Sequence, residues 1–123
     1  MTVTVKKSKY DLEERTALFG EGIIKLCGVV KVTIISKPLL NQLIRSATSI
    51  GANYMEANGA SSKKDFTNKI FICKKETQET KHWLRMLSSA VPEQAEEFKN
   101  FWNEAHELNL IFQKIAATSR GSN

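Results

Sequence analysis

The side chains best suited to acid–base or metal chemistry are scattered along this chain rather than gathered in a motif. The two histidines, His82 and His106, have no second histidine or cysteine at the spacing that metal ligands on a helix require. Glu56, Glu76 and Glu79 have no nucleophile nearby in the sequence, so no catalytic pair or triad can be recognised. We therefore expect a protein that is not an enzyme and holds no metal or cofactor.

The two cysteines indicate reduced thiols. Cys27 and Cys73 lie on separate apolar segments, and neither belongs to a CxxC motif. Free cysteine is among the most buried residue types in proteins. We therefore expect two buried thiols rather than a disulfide bond or a metal site.

The composition is that of one compact globular domain, with 41% hydrophobic and 25% charged residues in 123. The most apolar run, GIIKLCGVVKVTII, is interrupted by Lys25 and Lys31, whereas a membrane span needs about 18 uncharged apolar residues. The first residues, MTVTVKKSKY, contain no apolar stretch of the kind that a secretion signal requires. We expect a cytoplasmic protein without a membrane partner.

Positive charge is concentrated in one part of the chain, whose formal net charge is +5. Residues 60–91 contain seven basic and three acidic residues, a net charge of +4, whereas residues 92–123 contain three and five, a net charge of −2. Such asymmetry is compatible with a polyanionic partner, although a solvated lysine-rich surface is the more common explanation.

A basic stripe follows from helical spacing in this part of the chain. Lys74, Gln78, Lys81 and Arg85 recur at i, i+4, i+7 and i+11, so on a helix they share one face. This face could bind the phosphates of RNA, or it could be a solvated surface with neighbouring glutamates as counter-ions. The candidate RNA-binding residues are Lys63, Lys64, Lys74, Lys75, Lys81 and Arg85.

Four amphipathic segments position these residues. Asp11, Ser36 and either Ser61 or Ser62 are candidate N-caps of the first three, and Pro92 opens the fourth. We expect helices at about residues 11–30, 37–58, 62–90 and 92–118, with TSRGSN as a frayed end.

Four helices joined by short connections predict an all-α, antiparallel up-down four-helix bundle that forms a single domain. The β-branched run VVKVTII could be a strand, but no second strand candidate can pair with it, so we interpret it as a helix end and connection. A long coiled coil is disfavoured because glycines and Pro92 interrupt the heptads. The expected core includes Phe19, Leu84, Phe98, Trp102 and Phe112.

The second helix is rich in small residues on two faces. Ala47 and Gly51 lie on its core side, where they would allow a neighbouring helix to come close. Ser49, Ala52 and Asn53 make the opposite face thin. That face is either ordinary solvent surface or a second contact.

The third helix has apolar residues away from its core side. Ile72, Trp83 and Met86 lie off the stripe that includes Ile70 and Leu84. Aligned apolar side chains outside a core are typical of a protein interface. We therefore expect a homo-oligomer whose interface comprises Ile72, Trp83, Met86, Ser49, Ala52 and Asn53.

Four sequence blocks carry a resemblance to a known family. YDLEERT, LIRSATSIGANYMEAN, SKKDFTNKI and CKKETQETKHWLRML resemble, in the same order, blocks of the 23S ribosomal RNA intervening-sequence proteins. The resemblance covers roughly residues 10–117, and it departs from the family pattern in the unusually apolar GVVKVTIISKP. It directs attention to the motif Arg45, Ser49, Ile50, Asn53 and Glu56, and to Asp65, Phe66, Lys75, Glu76, Glu79, Trp83 and Arg85.

The resemblance also implies properties that the residues alone do not. Members of this bacterial, ribosomal protein-like family are left-handed four-helix bundles that assemble as ring-like homopentamers and are encoded within or near insertions in large ribosomal RNA genes. The accessory variability determinant of diversity-generating retroelements is a fold relative that binds nucleic acid and a reverse transcriptase.

Two functions from different classes follow. The first is an oligomeric RNA-associated binding module, in which a ring of subunits sums weak phosphate contacts. The second is a protein-interaction scaffold without a nucleic-acid role, in which the lysines only keep the protein soluble. An enzyme is the least supported class, and we expect no small-molecule substrate.

Overall fold

The computed structural model describes residues 11–121, which form four long antiparallel helices. Each helix packs on the next one along the chain, and α1 touches α4 through few residues. This arrangement confirms the predicted all-α four-helix bundle. The described VVKVTII segment contains no strand, and the predictions about residues 1–10 lie outside the described part. The helices are α1 (Leu12–Gly28), α2 (Ser36–Asn58), α3 (Lys63–Ala90) and α4 (Ala95–Gly121), with a 3₁₀ turn at Pro92–Gln94 before α4.

Two helices begin at the caps that the sequence predicts. The carboxylate of Asp11 accepts a hydrogen bond from the Glu14 amide at 3.2 Å, and the Ser62 hydroxyl accepts one from the Asp65 amide at 3.0 Å. Each bond satisfies an amide that has no partner within the first turn of its helix.

Helix α2 begins differently, and the prediction that Ser36 is its N-cap was wrong. Ser36 is the first residue of the helix, and its amide donates to the Thr33 hydroxyl at 3.0 Å. In return, the Ser36 hydroxyl accepts from the Thr33 amide at 2.8 Å. This reciprocal pair has the form of a capping box, so Thr33 supplies the cap and Ser36 closes it.

Helix α4 extends beyond its predicted end. It continues to Gly121, so residues 118–121 are helical rather than frayed. Contacts with α3 explain the extra turn: the hydroxyl groups of Thr67 and Ser119 are hydrogen-bonded, and the Arg120 guanidinium lies 5.4 Å from the centre of the Phe71 ring.

Most of the predicted core is correct. Phe19, Leu84, Phe98 and Phe112 are buried. Trp102 is only half-buried, because its ring lies at the edge of the α3–α4 contact rather than inside the bundle. Within residues 11–121, no helix is both long and apolar enough to cross a membrane.

Glycines mark the closest approaches of α1 to its neighbours. A Cβ atom at Gly51 of α2 would lie 3.1 Å from Oγ1 of Thr16, which confirms that this small residue admits another helix. A Cβ atom at Gly22 of α1 would lie 2.8 Å from the ring of Phe101 on α4. A larger side chain would have to displace the Phe101 ring at Gly22 and the Thr16 side chain at Gly51.

Candidate nucleic-acid interface

Arg45 joins α2 to α3 through two carboxylates. Its guanidinium pairs with Glu79, and its Nη1 atom lies 3.4 Å from Oε1 of Glu76. The two glutamates that could have neutralised the basic stripe therefore serve Arg45 instead. The stripe keeps more of its positive charge than the sequence alone indicated.

The other polar motif residues of α2 also have partners within the subunit. The Ser49 hydroxyl donates to the Arg45 carbonyl at 2.7 Å, and the Asn53 amide group donates to the Ser49 carbonyl at 2.8 Å. Glu56 accepts a hydrogen bond from Lys69 of α3 at 2.8 Å, which raises the pKa of Lys69. Arg45 and Glu56 therefore link the two helices, and Ile50 of the same motif is fully buried.

The residues predicted to form a subunit interface are placed unevenly. Ile72, Trp83 and Met86 are half-buried, because the helices that flank α3 partly cover its sides. Trp83 packs against the core, and its indole N–H is buried without a partner in the part of the chain that the structure describes. Ser49 and Asn53 are half-buried, whereas Ala52 is exposed. Their role in association stays a prediction.

The strongly exposed apolar side chains lie elsewhere on the surface. Three of them, on α1 and α2, are Leu18, Ile24 and Met55. Ile24 and Met55 line a groove of about 340 Å³ between these helices, together with Gly51 and Ala52. The other large apolar side chains that are exposed within residues 11–121 are Val29, Val32, Ile34, Ile35 and Leu110.

The basic stripe lies on the outer side of α3 and along its contact with α4. Gln78 and Arg85 are exposed, and Lys74 and Lys81 are half-buried. Half-burial holds the aliphatic stem of a lysine in place while the ammonium group remains near water. The other candidates, Lys63, Lys64 and Lys75, are exposed on the same helix. Of the stripe and these candidates, the cations that form no ion pair with a described residue are Lys64, Lys74, Lys75, Lys81 and Arg85.

Lys81 meets two aromatic rings of α4. Its Nζ atom lies 3.0 Å from Nδ1 of His106 and 4.6 Å from the centre of the Trp102 ring. The His106 ring stacks on Trp102 with 5.3 Å between centroids and 8° between planes. Groups on opposite faces of an indole cannot be 3.0 Å apart, so Lys81 and His106 cover the same face of Trp102.

Sequence reasoning missed this cluster. It assigned Trp102 to the core and considered His106 as a metal ligand without a second ligand at suitable spacing. The four-residue spacing between them was a usable signal, since such residues are neighbours on a helix. Lys81, however, is 25 residues from His106 and meets it only after α3 and α4 pack. A cation beside stacked aromatic rings resembles the surfaces on which proteins hold phosphates and unstacked bases.

Comparison with known proteins now identifies the family. The model of the 23S rRNA-intervening sequence protein family matches residues 23–114 of this chain. The chain belongs to this family. It is similar to the crystal structure of a protein of unknown function from the S23 ribosomal protein family of Bacteroides thetaiotaomicron, with 30% identity and a TM-score of 0.73 over 85% of this chain and 96% of that chain. A comparison with curated proteins finds no match.

The buried thiols of this 23S rRNA-intervening sequence protein are poor nucleophiles. Burial raises the pKa of Cys27 to about 11 and that of Cys73 to about 12. Both cysteines are free, as predicted, and the Cys73 thiol donates to the Ile50 carbonyl at 3.7 Å. Within the described residues, no group of three or more histidine, cysteine or acidic side chains could hold a metal ion.

Proposed function

We propose that this member of the 23S rRNA-intervening sequence protein family is a non-enzymatic, oligomeric protein that binds RNA through the basic stripe of α3 and the aromatic cluster beside it. The observation that carries the proposal is the pairing of Arg45 with Glu76 and Glu79. That pairing leaves Lys74 and Arg85 without acidic partners, and the stripe leads to Trp102 and His106.

The chemistry of the surface favours single-stranded or looped RNA. Unpaired cations attract phosphates without regard to sequence. The accessible parts of the half-buried Trp102 and His106 rings offer aromatic surface on which an unstacked base can pack, and such stacking contributes about 1–3 kcal/mol per base. A regular duplex keeps its bases inside the helix and would use only the cations.

Association between subunits supplies the affinity that one subunit lacks. A single stripe has three or four cations, and so few phosphate contacts give weak binding at physiological salt. Several stripes in one assembly would act on the same RNA at high effective concentration. We propose a homo-oligomer for this reason, and the family resemblance suggests five subunits.

The test is a titration of labelled single-stranded RNA at several salt concentrations. Binding should fall steeply with salt, with a log–log slope of roughly −0.7 for each neutralised phosphate. The triple variant Lys74→Glu, Lys81→Glu and Arg85→Glu should lose RNA binding while keeping its helical content and assembly mass, measured by circular dichroism and light scattering.

A matched triple variant separates a specific surface from total charge. Lys25→Glu, Lys99→Glu and Lys114→Glu makes the same charge change at exposed lysines that lie off the stripe and form no ion pair among the described residues. This control variant should keep most of its affinity for RNA. Absence of binding by the intact assembly, or equal losses in both variants, would show that the stripe is not an RNA site.

A protein-interaction scaffold without RNA binding is the second candidate. The groove between α1 and α2 supports it, because the exposed side chains of Ile24 and Met55 line this groove together with the small residues Gly51 and Ala52. This function would be favoured if the intact assembly fails to bind RNA and Met55→Asp abolishes capture of a protein partner by a purified, tagged chain.

A further inference from the structure

One end of the bundle carries a cluster of exposed aliphatic side chains. We call Val29, Val32, Ile34 and Ile35, between and beside α1 and α2, the aliphatic tip. Their exposed fractions are 69%, 62%, 91% and 64%. The reciprocal hydrogen bonds between Thr33 and Ser36 order the backbone of the connection that carries Val32, Ile34 and Ile35. Clustered apolar exposure of this kind marks an interaction surface.

Charges of both signs surround the tip at the same end. Antiparallel packing, seen in the contact of Phe19 with Phe101 and of Arg15 with Glu104, places the start of α4 beside the end of α1. The basic residues near the tip are Lys25, Lys31 and Lys37, and the acidic residues at the α3–α4 connection are Glu93, Glu96 and Glu97. All six are exposed, and none forms an ion pair with another described residue.

This balance of charge decides which partner fits. The formal charges of these three cations and three anions sum to zero, so together they provide no net attraction for a polyanion or an anionic membrane. A second copy presents the same aliphatic tip and both signs of charge. In a two-fold arrangement, the lysines of one copy can face the glutamates of the other while the tips cover each other.

We propose that two copies of this chain dock end to end through the aliphatic tip. The contact uses neither the basic stripe of α3 nor its half-buried apolar residues, so it is independent of the proposed RNA binding. Four aliphatic side chains per copy are fewer than a standard interface contains. The pairing is therefore weak, and the homo-oligomer should double its mass only as the protein concentration rises.

The first test is sedimentation velocity of the full chain over a wide concentration range. Wild type should show a concentration-dependent doubling of mass. Ile34→Asp should weaken this doubling at least about tenfold, because a carboxylate would be buried without a partner. Leu110→Asp, the same kind of change at an exposed aliphatic residue of α4, should behave as wild type.

The second test exchanges the charges. The variant Lys31→Glu with Lys37→Glu leaves Lys25 as the single cation among five carboxylates at this end. The variant Glu93→Lys with Glu96→Lys leaves Glu97 as the single carboxylate among five lysines. Each variant alone should double less readily than wild type, and an equimolar mixture should restore the doubling. Adding Ile34→Asp to the acidic variant should prevent the restoration.

Several outcomes would overturn the proposal. These are a wild-type mass that does not change with concentration, an Ile34→Asp variant that doubles as wild type does, and a charge-exchanged mixture that gains nothing. Binding of non-doubling wild type to phosphatidylserine vesicles, lost in Ile34→Asp, would assign the tip to a membrane surface instead.

Discussion

The guanidinium group of Arg15 on α1 donates two hydrogen bonds to the carboxylate of Glu104 on α4, over 2.7 and 2.9 Å. This pair crosses the seam where α1 and α4 share few contacts. The hydrogen bond with Glu104 raises the pKa of Arg15, with a smaller contribution from Glu107 at 3.7 Å. The pair therefore holds the first turns of α1 against α4.

Replacing Glu104 by Gln should lower the free energy of unfolding by about 0.5–1 kcal/mol. The substitution keeps the shape of the side chain but removes the charge that faces Arg15, and water screens such a partly exposed pair. Urea denaturation followed by circular dichroism measures the loss. The control is Glu107→Gln, at an exposed carboxylate with a longer contact, which should cost less. Equal losses in the two variants would contradict a specific role for Glu104.

Two glycines of α1 should respond oppositely to alanine. Gly28→Ala should stabilise the protein by about 0.5 kcal/mol, because nothing lies within 4 Å of the added Cβ and the helix gains a better helix former. Gly22→Ala should lose this gain or destabilise the protein, because its Cβ would lie 2.8 Å from the Phe101 ring. Both are measured by urea denaturation. Equal stabilisation would show that the Phe101 ring can shift at little cost.

The buried thiols should make stability fall at alkaline pH. The pKa of Cys27 is about 11 and that of Cys73 about 12 in the folded chain, above the ordinary value of 9.0. A raised pKa means that folding favours the neutral thiol, so this stability is complete below about pH 9. It is lost as pH rises through about 11 for Cys27 and about 12 for Cys73. Each thiol lowers the free energy of unfolding by up to about 1.4 kcal/mol per pH unit in that range.

Urea denaturation at pH 8 and pH 10 measures this dependence. The variant with Cys27→Ala and Cys73→Ala should lose less stability between these two pH values than wild type does. This variant should still lose some stability between pH 8 and pH 10, because burial also raises the pKa of Tyr54. The same loss in variant and wild type would rule out thiol ionisation as the cause.

The predicted subunit interface can be tested with residues of α3. Ile72→Glu together with Trp83→Ala should release folded monomers, because an interface tolerates neither a buried charge nor the loss of a large aromatic ring. Light scattering gives the mass, and circular dichroism shows whether the half-buried positions still allow folding. Leu110→Glu with Trp102→Ala makes the same chemical changes on α4 and should leave the assembly intact. A monomeric wild type would disprove the interface altogether.

Local patterns were sufficient for much of the fold. The period of 3.6 residues predicted four helices, and Asp11 and Ser62 cap two of them as expected, because a cap depends on residues within one turn. The end of α4 could not be predicted in this way. Its last turn depends on contacts of Ser119 and Arg120 with residues of α3 that are far away in sequence.

The candidate site, too, could be predicted from local patterns only in part. The basic stripe could be predicted, because residues at helical spacing share a face whatever surrounds them. Its available charge could not, since that depends on Arg45 taking Glu79, a partner 34 residues away. The cluster of Lys81 with Trp102 and His106 was missed for the same reason.

By itself, the sequence determined the helices, their apolar sides and the order of basic residues along α3, because these follow from neighbours within a few residues. Only the tertiary structure decided which side chains meet between helices. The rotation and register of each helix depend on close contacts such as Gly51 with Thr16, and on the buried hydroxyl pair of Ser46 and Thr80 at 2.9 Å. These contacts form only when the whole bundle packs.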